Sequence, residues 1–517
     1  MANQRNSDAR IFGKNGNHIA CILSKIDEDR RRNHYRQYEL RDHTDRPVIV
    51  MSLRTRIWTS IAAAAYSRVV TVAYNIVLVP VLLWAWGIHV YGEWIILTAF
   101  ATFASLSNVG FVQASASEIV LRVAAGDREG AARVLATTTV SLGALVIAAL
   151  TVSAGLLIAF DPCGFLGVSV ITPANAKIII MLALSSVTLA FFVTPLSAAL
   201  GAVMGAGLSS AVSACVKTCE ILLVVIVALA GGRPILVAAI MVVSVMVNIA
   251  IHSILIRKLL AWLRVKKPLF DTGTFRKLLR PSSAQFLLYA SVNIIAIQLP
   301  RIVLGHIAGA PAVAFFSVAV TYSRATRAIT GFAAQSLQVE LSRAFAECRS
   351  ALVAKLVEAV CQLSFWLTLL ISILLLIGAK PLFAIWTHGR VPADIPLIAL
   401  LAVGTIVGSF SDAFAFLLVG INRVWRLAVS HAVASVTGVV FGALMFPVFG
   451  MAAMAAGLGL PEFATAAIGL GVVSKVLETK PWPLLKQSLN FPISMLRRET
   501  ERLAAGLSAR WREVQNR

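Results

Sequence analysis

Two arginines interrupt an otherwise apolar stretch of the sequence. Residues 317–332 read SVAVTYSRATRAITGF, with Arg324 and Arg327 near the centre. An arginine at the middle of a membrane helix costs about 2.5–3.5 kcal/mol on insertion scales. Positions three apart are neighbours on a helix, so the two guanidinium groups share a face and repel each other unless an anion or water lies between them. The pair predicts a cavity lined by cations, and the forked donors of arginine fit a phosphate group.

Two further arginines lie inside apolar stretches. Arg68 lies within SIAAAAYSRVVTVAYN, and Arg301 follows Pro300. Ionisable residues inside membrane spans mark substrate or ion pathways by default, so we predict both as substrate-binding residues together with Arg324 and Arg327. Two alternatives stay open: Arg301, near a helix end, could snorkel to the membrane surface, and Arg68 could form a structural ion pair.

The acidic residues within the spans are fewer than the basic ones. Glu220 is one helical turn from Lys217 and is expected to be its ion-pair partner. Asp412 is the best free carboxylate to pair with an arginine, and Glu462 follows Pro461. We predict ion-pair or coupling roles for Asp412, Lys217 and Glu220. Because cations outnumber carboxylates in the spans, an anionic substrate is favoured over a cationic one.

The composition is that of an integral membrane protein. Of the 517 residues, 58% are hydrophobic and 14% are charged, whereas soluble proteins have about 45–50% apolar and about 25% charged residues. The formal net charge is +22. Since the basic residues crowd into loops and tails between apolar blocks, we expect anionic membrane lipids as their partner and no nucleic acid.

Apolar blocks of about 20 residues, enough to cross about 30 Å of hydrocarbon, recur along the chain and predict an all-α polytopic protein. We place about twelve spans at 57–83, 91–113, 134–160, 177–200, 208–230, 235–256, 283–305, 312–335, 355–378, 394–419, 426–447 and 451–473.

Lysine and arginine predict the orientation of these spans. They concentrate in the loops after the second, sixth, eighth and tenth spans, whereas the opposite loops offer only Arg233, Lys380 and Arg390. Positive residues in short loops mark the cytoplasmic side. We therefore expect a multi-pass membrane protein with both termini in the cytoplasm.

The two halves of the sequence resemble each other. YNIVLVPVLLWAWGI (74–88) can be aligned with VNIIAIQLPRIVLGH (292–306), which pairs Gly87 with Gly305. Each half has an even number of spans, so the repeats are expected to be parallel, with a central cavity between them. The predicted divisions are a basic disordered cytoplasmic tail (1–50), an N-terminal six-helix bundle (51–256), a basic amphipathic cytoplasmic linker (257–282), a C-terminal six-helix bundle (283–473) and a basic cytoplasmic tail (474–517).

Motifs typical of enzymes are missing from the sequence. It contains no GxxxxGK[ST], HExxH or GxSxG. The longest predicted external loop, about residues 379–393, is too short to hold a catalytic loop. We therefore expect no catalytic residues, no metal site and no cofactor.

Three short motifs resemble those of a known family. VYGEWIIL (90–97), SNVGF (107–111) and LRVAAGDREGAARV (121–134) are similar to motifs of the polysaccharide-unit (O-antigen and exopolysaccharide) flippases of the MOP exporter superfamily. Twelve spans in two halves, over residues 52–480, agree with that family. Asn108 stands where an acid is common, and AVAFFSVA (312–319) replaces the YG motif in the second half, which leaves the subfamily open.

The resemblance implies a lipid-linked substrate. A member of that family would lie in a bacterial cytoplasmic (inner) membrane. It would move oligosaccharide units, attached to a polyprenyl diphosphate, across that membrane by alternating access, for lipopolysaccharide or exopolysaccharide biosynthesis. On this basis Arg324, Arg327 and Arg68 would cradle the diphosphate while 57–256 rocks against 283–473. The resemblance also implies a glycan polymerase and chain-length machinery as partners. Three alternatives stay open: a cation-coupled multidrug antiporter of the same superfamily, a membrane glycan polymerase or ligase, and an unrelated twelve-helix solute carrier.

Overall fold

The computed structural model of the chain describes residues 53–104, 109–260, 262, 270–279, 287–288, 290–346, 350–420, 424–477 and 479–490. Within these residues the regular structure consists of helices and no strand. The predicted all-α fold class is confirmed.

Sixteen α-helices, numbered here in chain order, make up this structure. The first half contains α1 (Leu53–Ala104), α2 (Val109–Ala124), α3 (Arg128–Ala159), α4 (Pro162–Leu166), α5 (Pro173–Ala190), α6 (Val193–Met204), α7 (Ala206–Leu229) and α8 (Pro234–Leu259). The helix α9 (Thr272–Leu279) follows, and a π-helical turn (Ser291–Ile295) opens the second half. That half contains α10 (Ala296–Ala346), α11 (Ser350–Ile377), α12 (Ala379–Trp386), α13 (Ile395–Gly420), α14 (Trp425–Phe449) and α15 (Met451–Val476), and α16 (Pro481–Leu489) comes last.

Ten helical stretches of the described chain are long and apolar enough to cross a membrane. Two of them, Ala65–Phe103 and Ala296–Arg327, each cover two of the twelve predicted spans. Each is broken by a glycine with positive φ, Gly87 at 74° and Gly309 at 78°. Glycine takes this conformation without steric cost, so the chain turns there without a loop. The ten stretches therefore correspond to the twelve predicted spans.

The two glycine breaks correct the predicted alignment of the halves. The sequence alignment paired Gly87 with Gly305, but the residue of the second half that repeats the break of Gly87 is Gly309. The pairing was wrong by four residues, which is about one helical turn. A shift of one turn keeps the apolar faces in register, so hydrophobic pattern alone does not detect it.

The AGDREG turn between α2 and α3 is a compact capped corner. The Asp127 side chain accepts a hydrogen bond of 2.8 Å from the backbone N–H of Gly130, and Gly126 has a positive φ of 75°. Arg122 binds Glu118 and Asp127 at 2.7 and 3.1 Å. An N-cap carboxylate satisfies free amide groups at a helix start, so this motif has a structural role in ending one helix and beginning the next.

Glu93 of the VYGEWIIL motif anchors a loop of the first half. Its fully buried carboxylate accepts hydrogen bonds of 2.7 Å from the backbone N–H groups of Ser169, Val170 and Ile171. A buried charge is stable only when it is paired or hydrogen-bonded in this way. The anchored loop carries Gly167, where a Cβ atom would lie 2.4 Å from the carbonyl oxygen of Gly305.

The two halves contact each other at the end of the molecule where Gly87 and Gly309 lie, which we call the glycine-break end. There Gly92 packs against the backbone of Ala310. His306 shares a hydrogen bond of 2.9 Å with the carbonyl oxygen of Phe165. The predicted orientation places this end on the external side of the membrane.

Residues that follow α11 make two further bonds to α1. The indole N–H of Trp386 donates to the carbonyl oxygen of Ile76 at 2.7 Å, and Arg390 donates to that of Leu83 at 2.9 Å. Ile76 lies four residues before Pro80, which has no N–H, so its carbonyl has no helical donor. Trp386 supplies the donor that the proline removes.

The predicted linker and tails are described only in part. The linker contains α9, and Asp271 before it accepts hydrogen bonds from Thr274 and Gly273. The pKa of the Asp271 carboxyl lies below its usual range, chiefly because the Thr274 hydroxyl donates to it. Residues 1–50 lie outside the described residues. Within 474–517, the structure describes residues up to 490, including α16, whose Gln487 carbonyl accepts a bond from Gln362 on α11.

Candidate functional site: a cationic cavity in the second half

A cavity lies among α10, α13 and α15 of the second half. Three arginines and a glutamate reach it: Arg301, Arg324 and Arg327 from α10, and Glu462 from α15. The space open to a water-sized molecule is about 50 Å³, enough for a few waters and too small for a sugar unit. The remaining lining residues are Ala296, Ile297, Phe316, Val320, Ser323, Leu401, Gly404, Thr405, Ala455, Leu458 and Gly459.

Arg327 is held by two carboxylates. Its Nε and Nη2 donate to the two oxygens of Asp412 at 3.1 and 2.7 Å, and its Nη1 donates to Oε1 of Glu462. The side chains of Arg327, Glu462 and Asp412 are 15, 11 and 33% exposed. All three guanidinium nitrogens are therefore bonded to acids, and the site pairs Asp412 with Arg327.

Gly408 on α13 makes room for this network. A Cβ atom at Gly408 would lie 2.9 Å from Oε2 of Glu462 and 3.2 Å from Cζ of Arg327. Contacts this short would push the pair away from α13. Ser411, also on α13, donates its hydroxyl hydrogen to the backbone carbonyl oxygen of Glu462 at 2.8 Å, and this bond holds α15 against α13.

Arg324 and Arg301 differ from Arg327 in their partners. In the described part of the chain, neither has a carboxylate within ion-pair distance; Arg301 donates to the amide oxygen of Gln298 at 3.0 Å. Arg324 interacts electrostatically with Arg327 and Arg301 as well as with the two acids. Three guanidinium groups thus face two carboxylates, and the described site carries a formal excess of positive charge. Arg324 and Arg301 are therefore the two cations of the cavity that an anion can bind without displacing an acid.

The first half holds a separate ion pair. Lys217 Nζ lies 2.7 Å from Glu220 Oε1 and 3.7 Å from the centre of the Tyr74 ring, and Ser244 donates to the same carboxylate at 2.8 Å. Lys217 is therefore bound to Glu220, as the sequence spacing predicts.

Of the sequence-predicted residues of the first half, Arg68 is the one that the structure describes least. Arg68 lies in α1, but its side chain is outside the described part of the chain. The structure therefore brings together Arg301, Arg324, Arg327 and Asp412, keeps Lys217 and Glu220 in another bundle, and leaves the predicted role of Arg68 as a prediction.

Sequence reasoning missed three residues: one at the cavity and two that join the halves. It did not assign Glu462 to the site, although the glutamate follows a proline in a span, which is itself a signal. It gave no role to Trp386 and Arg390, because the carbonyl oxygens that they bind are invisible in sequence. Pro80 inside a span was the available signal, since a proline frees the carbonyl four residues before it.

Comparison with known proteins identifies the fold. An outward-facing multidrug resistance MATE family transporter of the MOP superfamily matches with a TM-score of 0.56 at 15% identity, over 83% of this chain and 96% of that chain. An inward-facing multidrug resistance MATE family transporter matches with a TM-score of 0.53 at 16% identity, over 85% of this chain and 97% of that chain. A MOP superfamily transporter from Pyrococcus furiosus matches with a TM-score of 0.56 at 16% identity, over 82% of this chain and 96% of that chain. It is described as having a binding pocket of reverse polarity that suggests a different function.

The fold and the spans together define a multi-pass, all-α membrane protein. Its fold is that of the MATE transporters of the MOP superfamily. No protein-family model matches the sequence, and no curated protein matches it significantly.

Proposed function

We propose that this protein translocates polyprenyl-diphosphate-linked oligosaccharide units across the bacterial cytoplasmic membrane, for lipopolysaccharide or exopolysaccharide biosynthesis. The observation that carries the proposal is the position of Arg324. Its side chain lines the cavity and has no carboxylate partner among the described residues. An uncompensated guanidinium in a membrane is costly, and an anionic ligand offsets that cost. A diphosphate has the charge and the oxygen geometry that a forked donor binds.

Arg324 and Arg301 are the proposed diphosphate ligands. They lie on either side of the Gly309 break in α10, line one cavity and lack carboxylate partners in the described chain. Arg327, bound to Asp412 and Glu462, contributes charge at the rim of the site. Arg68 stays in the proposed site as a first-half residue on the basis of the sequence alone.

The proposed mechanism is alternating access. Hydrogen bonds join the halves at Ile76 and Leu83, and Gly167 packs against Gly305, all toward the glycine-break end. In the proposed cycle these contacts break when the protein opens on the predicted external side. Because the cavity holds only a few waters in this structure, substrate binding requires the helices around it to move apart. The outward-facing and inward-facing MATE structures, to which this chain is similar, support such a motion.

The membrane surface and other proteins are proposed partners. The exposed Arg276 on α9 and the exposed Lys480 and Lys486 at α16 are suited to anionic lipid headgroups. A glycan polymerase and chain-length machinery are proposed as partners from the resemblance of the motifs. Both termini of this protein are proposed to lie in the cytoplasm.

A cation-coupled multidrug antiporter is the second candidate. The observation favouring it is the pair of carboxylates, Asp412 and Glu462, near the cavity, together with the multidrug transporters among the structural neighbours. Against it, Arg327 occupies both carboxylates. The reversed pocket polarity described for the Pyrococcus furiosus protein supports a function other than drug export within this fold.

The test is made in a strain that lacks the gene. An impermeant sugar-binding reagent measures lipid-linked oligosaccharide on the outer face of intact cells, and opened cells give the total. We expect the lipid to accumulate on the cytoplasmic side and wild-type protein to restore its outward movement. If the lipid reaches the outer face without the protein and drug resistance falls instead, the antiporter is the correct function.

A further inference from the structure

A long groove lies between α7 and α8 of the first half. One face of each helix lines it, from Cys215 to Val227 on α7 and from Leu236 to Ile251 on α8. At 1.5 Å per residue these stretches are about 18–22 Å long, more than half of the hydrocarbon thickness of a bilayer, which is about 30 Å. The space open to a water-sized molecule is about 510 Å³, against about 50 Å³ in the cationic cavity.

The groove faces the membrane, and its polar side chains are paired. Both helices are long and apolar enough to cross a membrane, and Leu223 and Val243, which line the groove, are exposed. The two lining side chains that carry oxygen atoms bind each other, since the Ser244 hydroxyl donates to Oε2 of Glu220 at 2.8 Å. Lys217 binds Oε1 of the same carboxylate at 2.7 Å. Such a surface accepts a hydrocarbon chain, because a polar ligand would lose its hydrogen bonds to water there.

The corresponding helices of the second half, α14 and α15, are in direct backbone contact. A Cβ atom at Gly438 would lie 2.1 Å from the carbonyl oxygen of Gly457. By contrast, α8 contains no glycine, and α7 contains only Gly207 near its start. Side chains therefore hold the backbones of α7 and α8 apart, and the groove is a feature of the first-half sequence rather than of the repeated fold.

The lining of the groove suits a single chain. The chain would lie between one face of α7 and one face of α8, and three small lining residues widen the space between them: Cys215, Cys219 and Ala239. Lipid tails are as apolar as this wall, so shape and not hydrophobicity decides what the groove holds. A phospholipid would place one of its two chains here and leave the other outside, whereas a prenyl lipid has one chain.

One end of the groove lies at the glycine-break end of the molecule. Val227 and Leu236 line that end, on either side of the turn at Gly232. The carbonyl oxygen of Gly232 accepts a hydrogen bond of 2.8 Å from the indole N–H of Trp86, the residue before Gly87. Since the predicted orientation places this end outside, a lipid whose headgroup is on the external side can lay its chain into the groove.

We propose that this groove holds the prenyl chain of the lipid-linked substrate once the diphosphate has reached the predicted external side. The inference rests on the proposed function, and it adds a site for the chain to the site for the diphosphate. It gives a reason why α7 and α8 are separated while α14 and α15 pack closely. The chain is held by packing alone, and it leaves when the lipid diffuses into the outer leaflet.

The proposal is tested with the full-length protein in nanodiscs of dioleoyl phosphatidylcholine. Two analogues of geranylgeranyl diphosphate carry a photoreactive diazirine, one on the first isoprene unit and one on the last, and mass spectrometry locates the labelled residues. We expect the first-unit analogue to label residues near Val227 and Leu236, and the last-unit analogue to label residues near Cys215 and Ile251. An excess of unlabelled geranylgeranyl diphosphate should remove both labels.

Two variants provide a matched control. Ala239→Trp fills the groove with an indole ring, and we expect it to lose the labels of both analogues. Ala148→Trp places the same ring on an exposed part of α3, away from the groove, and should be labelled as the wild type is. The affinity for inorganic diphosphate checks the fold, and it should be equal in Ala239→Trp and the wild type because the proposed diphosphate site lies in the second half.

The outcomes separate this inference from the proposed function. Competed labelling of other residues, the two analogues in reversed order, or retained labelling in Ala239→Trp contradicts the inference alone. So does labelling of the groove by a phosphatidylcholine with a diazirine on one acyl chain, if excess geranylgeranyl diphosphate leaves that label unchanged. A wild-type protein without any competed labelling does not recognise a prenyl diphosphate, which contradicts the proposed function and the inference together.

Discussion

The indole Nε1 of Trp386 lies 2.7 Å from the carbonyl oxygen of Ile76, and this hydrogen bond joins the two halves of the molecule. Pro80 leaves that carbonyl without its helical donor, so a residue of the second half completes a helix of the first. The ring of Trp386 also lies 6.2 Å from that of Tyr322, two residues before Arg324.

We first predict that Trp386→Phe loosens the halves at the glycine-break end. The substitution keeps an aromatic ring but removes the N–H donor. Loss of this hydrogen bond costs about 1 kcal/mol, which raises the equilibrium constant for separation of the halves about fivefold. Hydrogen exchange of the backbone amides around Gly87 should become faster by about that factor. Trp482→Phe, at an exposed tryptophan of α16, is the matched control. Equal exchange in Trp386→Phe and the wild type would show that the bond does not hold the halves.

The second prediction concerns the buried carboxylate of Glu93. Glu93→Gln keeps the size of the side chain but places an amide donor against backbone N–H groups, at a cost of about 1.5–3 kcal/mol. The amides of 169–171 should exchange faster and the loop should become sensitive to limited proteolysis. Glu129→Gln, at an exposed glutamate in the first turn of α3, should leave both measurements unchanged. Protection at 169–171 equal to that of the wild type would contradict this anchoring role.

The third prediction separates Arg327 from Arg324 by their contribution to stability. Arg327→Gln leaves Glu462, 11% exposed, and Asp412, 33% exposed, without a cation. Loss of one partner of a buried pair costs about 3–5 kcal/mol, and solvent at Asp412 places the expected loss at the lower end of that range. The thermal unfolding midpoint in detergent should fall for Arg327→Gln and stay near that of the wild type for Arg324→Gln. Neutralising Asp412 and Glu462 together with Arg327 should restore much of the loss. A wild-type midpoint for Arg327→Gln alone would show that the network is not stabilising.

The sequence predicted the helices well because each span is a long apolar block, and block length survives errors at the boundaries. It could not place the glycine breaks, since a helix that turns at Gly87 keeps the same composition as one that ends in a loop. The sequence alignment paired Gly87 with Gly305 and not with Gly309, an error of four residues. A shift of about one helical turn preserves the apolar face, so the hydrophobic pattern did not reveal it.

The candidate site was predictable only in part: Asp412 was expected to pair with an arginine and pairs with Arg327, whereas Glu462 was not assigned to the site. The spacing of Arg324 and Arg327 indicated a shared cationic face, yet the acids that occupy Arg327 come from α13 and α15, far along the chain. Lys217 and Glu220, by contrast, pair within one turn of one helix, so their contact followed from spacing alone. Local pairs can be inferred from helix geometry, whereas distant pairs depend on how the helices pack.

The most direct test of the central claim is the outward movement of lipid-linked oligosaccharide in cells that carry Arg324→Gln in place of the wild type. The impermeant sugar-binding reagent measures the outer-face fraction, and Arg233→Gln, at an exposed arginine before α8, is the matched control. We predict that Arg324→Gln protein accumulates in the membrane while its lipid stays on the cytoplasmic face, and that Arg233→Gln restores movement. An outer-face fraction equal to that of the wild type in Arg324→Gln cells would contradict the claim that this arginine binds the diphosphate.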